Sequence, residues 1–585
     1  MHYLLNERTS VTGKKWILKQ HNDRDVFKLV DQENISEITA RLLIARGVSC
    51  EQAQSFLKPT LRSLMIDPWQ LMDLDVAITR IIVAMQQGHK IAVFGDYDVD
   101  GATSTALLMR CLRAYGVDAL FHIPDRITEG YGPNIQAMTA LQDKGVKLII
   151  TVDCGTTAYE VLEQAYKIGL DVIVIDHHMG EPKQPQAVAV VNPNRFDQPD
   201  NPYKICAAVG IVFITMACLR RHLADQGIMP TDPTFDLMVL LDLVAVGTVC
   251  DVVPLTGINR AFVTQGLKIL AARNNPGLTA LMDSAQVDQQ PTAYHLSFII
   301  GPRINAGGRV GQCDLGVRLL TTDDAGQANN FAQQLKEYNI ERQAIEQLAL
   351  REAMDQGEQQ QHQQVIITSS STWHPGVIGI IAGRLKDRFN RPSFVISFDA
   401  QGLGKGSARS INGLDIGALI QAAKQAGLLI NGGGHAMAGG ITIDHNQLVP
   451  FTRFVQDKVT QMQLDLTPHI NVDSHLKLTA ATLPFVEGLN TLEPYGQSNP
   501  KPRFVFNDLF VTYSEIVGQD HLRITFKSYD GTSITAMAFR CLDTPLGQHL
   551  RQPGAQAITV LGTLKLDEWL GRKKITLMIE DIALG

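Results

Sequence analysis

Acidic and histidine residues stand in four short clusters, each placed directly after a run of apolar residues. Ile91-Ala92-Val93-Phe94 leads into Gly95-Asp96-Tyr97-Asp98-Val99-Asp100-Gly101. Leu148-Ile149-Ile150-Thr151-Val152 leads into Asp153-Cys154-Gly155, and Val172-Ile173-Val174-Ile175 into Asp176-His177-His178. The apolar stretch 237–249 leads to Asp251. One Asp after a strand commonly caps the following helix, and Asp153 ahead of Thr156-Thr157 would suit that role. Four such clusters in succession point instead to a ring of ligands. Carboxylates with imidazole, and no thiolate placed to replace them, suit Mn²⁺ or Mg²⁺ better than structural zinc. So many acids around one point repel each other unless cations neutralise them. Two divalent ions held together can generate a nucleophile and stabilise in-line attack on phosphorus. The expected chemistry is metal-dependent phosphoester hydrolysis, with Cys154 and Cys250 as wall residues.

The elements that must position these groups are legible as alternation. Apolar strands at 91–94, 119–123, 148–152, 172–175 and 187–191 alternate with helical patterns at 103–115, 135–144 and 159–168. Continuously apolar strands between helices mark a buried parallel sheet. Ligands bind outside the carboxyl ends of such strands, so the clusters converge on one edge. The expected fold class is α/β with an added β-barrel. A helical lead-in spans 1–85, with Ile38, Leu42 and Ala45 at helical spacing. The parallel-sheet domain spans 86–322, a long polar connecting helix 323–364, and a second α/β domain 365–467. Short alternating runs separated by turn residues make 468–585 a small β-barrel or sandwich.

Composition sets bounds. The chain has 585 residues, 45% of them apolar and 19% charged, enough for several packed domains without disulfide or metal staples. Its eight cysteines are scattered with no CxxC, which fits a reducing cytosol. The N-terminal residues lack the apolar region of a signal peptide. The longest apolar run, 205–219, falls short of the ~20 residues that span a bilayer. A cytoplasmic protein is expected. The net charge of −7 argues mildly against general nucleic-acid binding, an objection that weakens if carboxylates hold divalent ions.

Val174-Ile175-Asp176-His177-His178 resembles the motif that names the DHH phosphoesterase superfamily. The clusters around Asp96, Asp153 and Asp251 resemble its other motifs in order. Gly432-Gly433-Gly434-His435-Ala436-Met437-Ala438-Gly439-Gly440 is similar to the glycine-rich motif of the associated DHHA1 domain. Leu492-Glu493-Pro494-Tyr495-Gly496-Gln497-Ser498-Asn499-Pro500 resembles the entry to an OB-fold. Over residues 85–585 the likeness is closest to the RecJ family of exonucleases. It implies DHH, DHHA1 and OB domains around a central cleft. It also implies metal ligation by Asp96, Asp98, Asp153, His177 and Asp251. Asp100 and His178 would be ligands or phosphate contacts, and Asp176 would orient His177. The resemblance assigns the catalytic role to Asp98, Asp153, His177, His178 and Asp251, working with two Mn²⁺ or Mg²⁺ ions. Related pyrophosphatases carry a metal-binding His four residues before the position of Asp98; here Phe94 stands there, which argues against that activity.

A 5′-end exonuclease needs a terminal-phosphate pocket, and the planar fork of arginine suits one. Arg126, Arg303, Arg309 and Arg409, the last with Ser407, are the candidates. Tyr131, set among glycines, is a candidate base-stacking surface. The segment 432–440 reads as a loop whose Gly433, Gly434 and His435 would cradle a backbone phosphate, and His374 would face the same cleft. In the barrel, Lys501, Arg503, Arg523, Lys527 and Arg572-Lys573-Lys574 supply charge. Phe504, Phe506 and Phe526 alternate as core residues do.

The expected function is a 5′→3′ exonuclease specific for single-stranded DNA, acting in repair and recombination. A RecQ-type helicase and a single-strand-binding protein are partners implied by the resemblance alone. The alternatives are a DHH phosphodiesterase of short oligonucleotides, which the chain length disfavours, and an inactive strand-binding scaffold, which intact metal motifs disfavour.

Overall fold

The computed structural model describes residues 2–5, 9–554, 556–569 and 572–584; the side chains of residues 2, 3, 569 and 572, and so the charge expected of Arg572, lie outside the described residues. The chain forms two compact units. One comprises Met1–Leu64, Leu255–Arg260 and Thr467–Gly585; the other comprises Met65–Pro254 and Ala261–Leu466.

The second unit holds the sheet expected from the apolar runs. Its five strands lie in the order Leu120–His122, Lys90–Gly95, Val146–Val152, Asp171–Ile175 and Ala189–Val191, and every pairing is parallel. Gly95 pairs with Val152, Val152 with Ile175, and Ile175 with Val191. The carboxyl ends are therefore level, and the residues that follow them emerge side by side. Helices cover both faces, so four of the strands are buried along nearly their whole length, while the edge strand Leu120–His122 is half-buried.

The connecting helix runs over 35 residues, Ala325–Gln359, with Asp324 as its N-cap. Beyond it lies a mixed sheet in the order Asn431–His435, Ala438–Asp444, Leu403–Arg409, Ser393–Phe398 and Ile366–Ser370. One face packs on helices Ile416–Gln425 and Leu448–Gln461, the other on Ile378–Phe389 and the connecting helix. The glycine-rich segment is not a loop. Gly432, Gly433 and Gly434 pair antiparallel with Ile441, Gly440 and Gly439. The glycines serve close approach: a Cβ on Gly434 would lie 2.4 Å from Ala438 O, and one on Gly417 would lie 2.6 Å from Gly434 O.

In the first unit, strands Phe504–Val517, His521–Ser528, Ser533–Ala538, Arg572–Leu584 and Ile558–Trp569 close into a barrel through pairing of the first with the last. Phe504, Phe506 and Phe526 are fully buried in it, as their alternation implied. The lead-in is not purely helical. Strand Lys15–Leu18 pairs with His2–Tyr3 and, in parallel, with His469–Val472. Its helices share one apolar core with the barrel, where Val26, Leu29, Leu42, Leu43 and Phe56 meet Leu492, Phe504 and Leu509.

Arg260 secures this unit from within. Its guanidinium lies over the Phe56 ring at 3.8 Å. It donates to Phe56 O at 2.6 Å, Glu493 O at 2.6 Å, Leu492 O at 3.0 Å and Pro494 O at 3.3 Å. Arg260→Met keeps the apolar stem and takes the side-chain donor from Phe56 O and Glu493 O, while Leu492 O and Pro494 O keep only Asn499 Nδ2, at 2.8 Å and 2.9 Å. It is expected to lower stability by about 3 kcal/mol or more, read as a reduced urea midpoint of unfolding.

Candidate metal centre

After strand Lys90–Gly95 the chain turns through Asp96-Tyr97 into helix Val99–Ala114. Asp98 is the N-cap, accepting from the N–H groups of Asp100 at 2.9 Å and Gly101 at 3.1 Å. The tight turn requires Gly101, where a Cβ would lie 2.3 Å from Asp96 O. Asp100, in the first turn of the helix, is buried, and its carboxylate accepts from Ala208 N–H at 2.6 Å and Val209 N–H at 3.0 Å. It thus fixes the start of helix Ala208–Asp225 against the site. Gly247, in the helix Leu241–Cys250 that delivers Asp251, leaves room for this carboxylate: a Cβ there would sit 2.9 Å from Asp100 Oδ1.

Asp153 takes a left-handed backbone, φ +62°, and its Oδ1 lies 3.3 Å from His177 Nε2. His177 Nε2 lies 3.6 Å from Asp251 Oδ2 and 3.9 Å from Asp100 Oδ2. Three sets of ligand atoms each fall within 4.8 Å: Asp96, Asp98 and Asp153; Asp100, His177 and Asp251; and Asp153, His177 and His178. Asp96 Oδ1, His177 Nε2 and Asp251 Oδ2 are buried without a hydrogen-bond partner. Buried polar atoms are almost always bonded, so these three fit a cation. The donor set, oxygens with imidazole nitrogen, fits Mn²⁺ or Mg²⁺.

The electrostatics agree. Burial, then the charge of Asp98, pushes Asp96 well above the usual carboxylate range. Burial, then Asp100 and Asp98, does the same to Asp153. Burial and Asp98 raise Asp100 to about 7; burial, Asp100 and Asp98 raise Asp251 to about 9. Without cations these acids hold protons.

Asp176 departs from its expected role. Its carboxylate accepts from the Thr156 hydroxyl at 2.6 Å, from the backbone N–H groups of His177 at 2.7 Å and His178 at 3.2 Å, and from the His178 ring Nδ1 at 2.7 Å. It therefore orients His178, while the ring of His177 bonds to the Cys206 backbone. Burial opposes ionisation of Asp176, but the bond and charge of His178 prevail and hold it well below the usual range. Burial also works against the charge on His178, yet Asp176, followed by Asp251 and Asp96, raises its pKa to about 9. His178 is an imidazolium, which suits a phosphate contact. Burial and the His178 charge lower His177 to about 4, leaving the neutral imidazole a metal requires.

Two asparagines missing from the sequence reading complete the support. Asn192 donates to Thr156 Oγ1 and His178 O, both at 2.8 Å, and Asn194 to His177 O at 2.7 Å. They follow strand Ala189–Val191, so the carboxyl-edge rule that found the acids would have found them. Phe94, in place of a histidine, is fully buried with its ring 5.1 Å from that of His122. Cys154 is buried, as expected of a wall residue, and Cys250 donates to Leu296 O at 3.4 Å.

The strand-binding candidates divide. The Arg126 guanidinium lies over the Tyr97 ring at 4.9 Å. Arg309 donates to Gly376 O at 2.9 Å, and Gly376 N–H donates to His374 Nδ1 at 3.0 Å. Arg409 donates to Ala408 O at 2.8 Å and Ser407 Oγ at 3.2 Å. Burial, then the charge of Arg126, lowers the pKa of both Arg309, to about 10, and Arg409. Among the described residues none of these three arginines forms an ion pair. Three neighbouring guanidiniums that feel Asp96 and Asp98 only at a distance, with no carboxylate in ion-pair contact among the described residues, call for an anion. A feature the sequence did not flag joins them: a Cβ on Gly379, in the first turn of helix Ile378–Phe389, would lie 3.1 Å from Ser407 Oγ and 3.3 Å from Arg409 Nη2. That helix start favours negative charge at the same point. Arg303 stands apart, donating to Ile299 O at 2.7 Å and feeling none of the other guanidinium charges. Tyr131 is 53% exposed, its hydroxyl donating to Asp153 O at 3.2 Å. The His435 ring stacks 6.5 Å from that of His178. Gly433 and Gly434 lie in the edge strand leading to it.

Family models match three segments: the DHH family N-terminal domain at residues 90–248, the DHHA1 domain at 342–461 and the RecJ OB domain at 472–581. The chain is 33% identical to the single-stranded-DNA-specific exonuclease RecJ of Bacillus subtilis, over 98% of this chain and 71% of that protein. It is 34% identical to the Escherichia coli exonuclease of the same name, over 96% of this chain and 98% of that one. The crystal structure of Thermus thermophilus RecJ in complex with Mn²⁺ superposes with a TM-score of 0.81 at 29% identity, covering 97% of this chain and 79% of that chain. A Mg²⁺ complex of the same protein gives a TM-score of 0.75.

Proposed function

The chain belongs to the RecJ family, and from that premise we propose that it degrades single-stranded DNA from the 5′ end, hydrolysing phosphodiester bonds with two divalent ions in DNA repair and recombination. The observation that carries this reading is the set of unpartnered buried ligand atoms at the level carboxyl ends of the sheet. Asp96, Asp98, Asp153, His177 and Asp251 would hold Mn²⁺ or Mg²⁺, with Asp100 bracing the set from the helix it caps. Bound there, the ions supply a nucleophile at neutral pH and offset charge developing on the phosphorus oxygens.

The chain's own residues do the rest. Arg126, Arg309, Arg409 and Ser407 bind the terminal phosphate and set the register of the strand. The His178 imidazolium, held by Asp176, meets a phosphate oxygen beside the metal ligands. His435 reaches the same place from the second sheet, and Tyr131 offers its exposed ring to a base. No helix among the described residues is long and apolar enough to cross a membrane. Work on chromosomal DNA calls for the cytoplasm, a RecQ-type helicase to unwind the substrate and a single-strand-binding protein to hold it.

The decisive assay offers 5′-phosphorylated single strands with Mn²⁺ or with EDTA, beside matched duplex and a 5′-blocked strand. Mn²⁺-dependent loss from the free 5′ end supports the reading; digestion that ignores the 5′ block or prefers duplex defeats it. Arg409→Ala tests the pocket. It is expected to lower kcat/KM on a 5′-phosphorylated strand by about 10- to 100-fold, as loss of charge-assisted hydrogen bonds predicts. A 5′-hydroxyl strand should be nearly unaffected. Equal loss on both substrates would remove Arg409 from the pocket.

A further inference from the structure

Residues 123–134 join strand Leu120–His122 to helix Ile135–Asp143 and carry two groups of the site, Arg126 and Tyr131. Asp125 Oδ1 folds the first half into a turn, accepting from the N–H groups of Ile127 at 2.9 Å and Thr128 at 2.8 Å. The second half has little stiffness of its own. Gly130 and Gly132 take left-handed φ values of +86° and +79°, and a Cβ on either would meet nothing within 4 Å. They serve conformation rather than close packing, and glycine leaves the chain many other conformations to visit. One side chain gathers the stretch. The Glu129 carboxylate accepts from Asp125 N–H at 2.9 Å on Oε1, and from Asn134 Nδ2 at 2.8 Å and His122 Nε2 at 3.0 Å on Oε2. His122 ends the strand, and Asn134 Oδ1 accepts from Ala137 N–H at 2.8 Å to cap the helix. Glu129 therefore ties both roots of the loop and its first turn to a single point. Burial opposes its ionisation, but these three donors prevail and hold the carboxyl below its usual range. Its side chain is 29% exposed, so it holds the loop rather than filling the core.

A second brace comes from the strand that carries two of the phosphate-pocket residues. Lys405 Nζ donates to Ile127 O at 3.2 Å. Lys405, Ser407 and Arg409 alternate along strand Leu403–Arg409, so their side chains leave it on one face. We propose that Glu129 is a positioning residue, clasping the loop so that Arg126 stays over the Tyr97 ring, towards the terminal phosphate, and Tyr131 keeps its hydroxyl on the Asp153 carbonyl. The proposal rests on the nuclease reading above and deepens it. The carboxylate is taken up by the loop's own donors, so it acts through the groups it places rather than on the DNA. A guanidinium for the strand end and a ring for a base are thereby registered together against the metal ligands. Misplacement of such groups by about 1 Å costs about 100-fold in rate.

Trypsin reads the clasp in the full chain without any nuclease activity. In EDTA and without DNA, Glu129→Ala should be cut after Arg126 about 10- to 100-fold faster than the unaltered protein, as loss of charge-assisted hydrogen bonds predicts. The new N-terminus at Ile127 identifies that cut, and cuts elsewhere should keep their rates. With Mn²⁺, kcat/KM on a 5′-phosphorylated strand should fall by about 10- to 100-fold, and the preference over a 5′-hydroxyl strand should shrink. In a background of Arg126→Ala with Tyr131→Leu, the same substitution should cost less than about 2-fold more, since residues that act as a unit do not add. Full additivity would overturn the proposal. So would a cut after Arg126 no faster than before, or an acceleration shared by every site, which marks general loss of stability. Should Glu129→Ala not fold, Glu129→Gln decides. It keeps the acceptor for Asp125 N–H but presents an amide to Asn134 and His122, so it must show the same pattern at smaller size, and an unaltered loop overturns the clasp. Absence of strand degradation by the unaltered protein would instead defeat the nuclease reading, while the trypsin result would still decide the clasp.

Discussion

Asp153→Asn is expected to reduce strand degradation by about 1,000-fold or more while leaving the strand bound and the protein folded. Asp153 lies in one ligand set with Asp96 and Asp98, and its Oδ1 is 3.3 Å from Nε2 of His177, a member of the set with Asp100 and Asp251. Its loss therefore disturbs both halves of the centre at once. An amide is a far poorer ligand than a carboxylate, and removing preorganised charge stabilisation of the transition state alone costs about 100- to 1,000-fold. The substitution is gentle on the fold for two reasons. Asparagine tolerates the left-handed backbone that Asp153 adopts. It also keeps the uncharged state that burial and the neighbouring Asp100, Asp98, Asp96 and Asp251 favour at this position in the metal-free protein. Thermal melts in EDTA should show the variant at least as stable as the unaltered protein, with filter binding of a labelled strand retained. Appreciable Mn²⁺-dependent activity in the variant would exclude Asp153 from the centre.

Removing the metal should give the second large effect, and its sign depends on pH. Activity should vanish in EDTA. The stripped protein should also lose stability as pH rises. Asp100 and Asp251 have folded-state pKa values of about 7 and about 9. Between pH 4 and 9 the folded state keeps protons that the unfolded chain has released. The stability this contributes is complete below about pH 4 and is lost as pH climbs through those values. His178, raised to about 9, acts in the same direction: its contribution is complete below pH 6.5 and lost through pH 9. His177, lowered to about 4, acts oppositely and penalises folding as pH falls from 6.5 towards 4. Metal-free stability should therefore peak on the acid side of neutrality. Mn²⁺ displaces the shared protons, so the shift it produces should grow with pH and reach about 4 kcal/mol at a thousandfold excess over its Kd. Melting curves at pH 6 and pH 8.5, with and without Mn²⁺, read this directly. A Mn²⁺ shift that is equal at both values, or larger at pH 6, would contradict the assignment.

What sequence could and could not reveal follows from the range of the interactions involved. The parallel sheet was legible because a strand buried on both faces must be apolar throughout, and the acids were legible because sheet geometry collects whatever follows such strands. The partner of Asp176 was not, because His177 and His178 are adjacent and only χ angles decide which ring receives the carboxylate. Gly432–434 suggested a loop by composition. They are strand residues paired with Gly439–Ile441, and at Gly432 and Gly434 neighbouring atoms lie too close for a Cβ. Arg303, Arg309 and Arg409 looked alike as fragments. Distant charges and the first turn of helix Ile378–Phe389 separate the two that meet from the one that does not. The N-terminal strands escaped notice because strand Lys15–Leu18 finds a partner in His469–Val472, more than 450 positions away.

That last pairing has a temporal side. The first 64 residues and the final barrel make one unit, and the catalytic unit is synthesised almost wholly between them. At about 5–20 residues per second a ribosome needs about 20–80 s to add those roughly 400 residues. Throughout that interval Trp16, Leu29, Leu43 and Phe56 have no core to enter. The nuclease unit can close while the opening segment still waits, its edge strand bare and its apolar faces wet. A nascent chain in that condition is a natural client for holdase chaperones. A premature stop within the barrel would strand both ends of the molecule, not only the end that was cut.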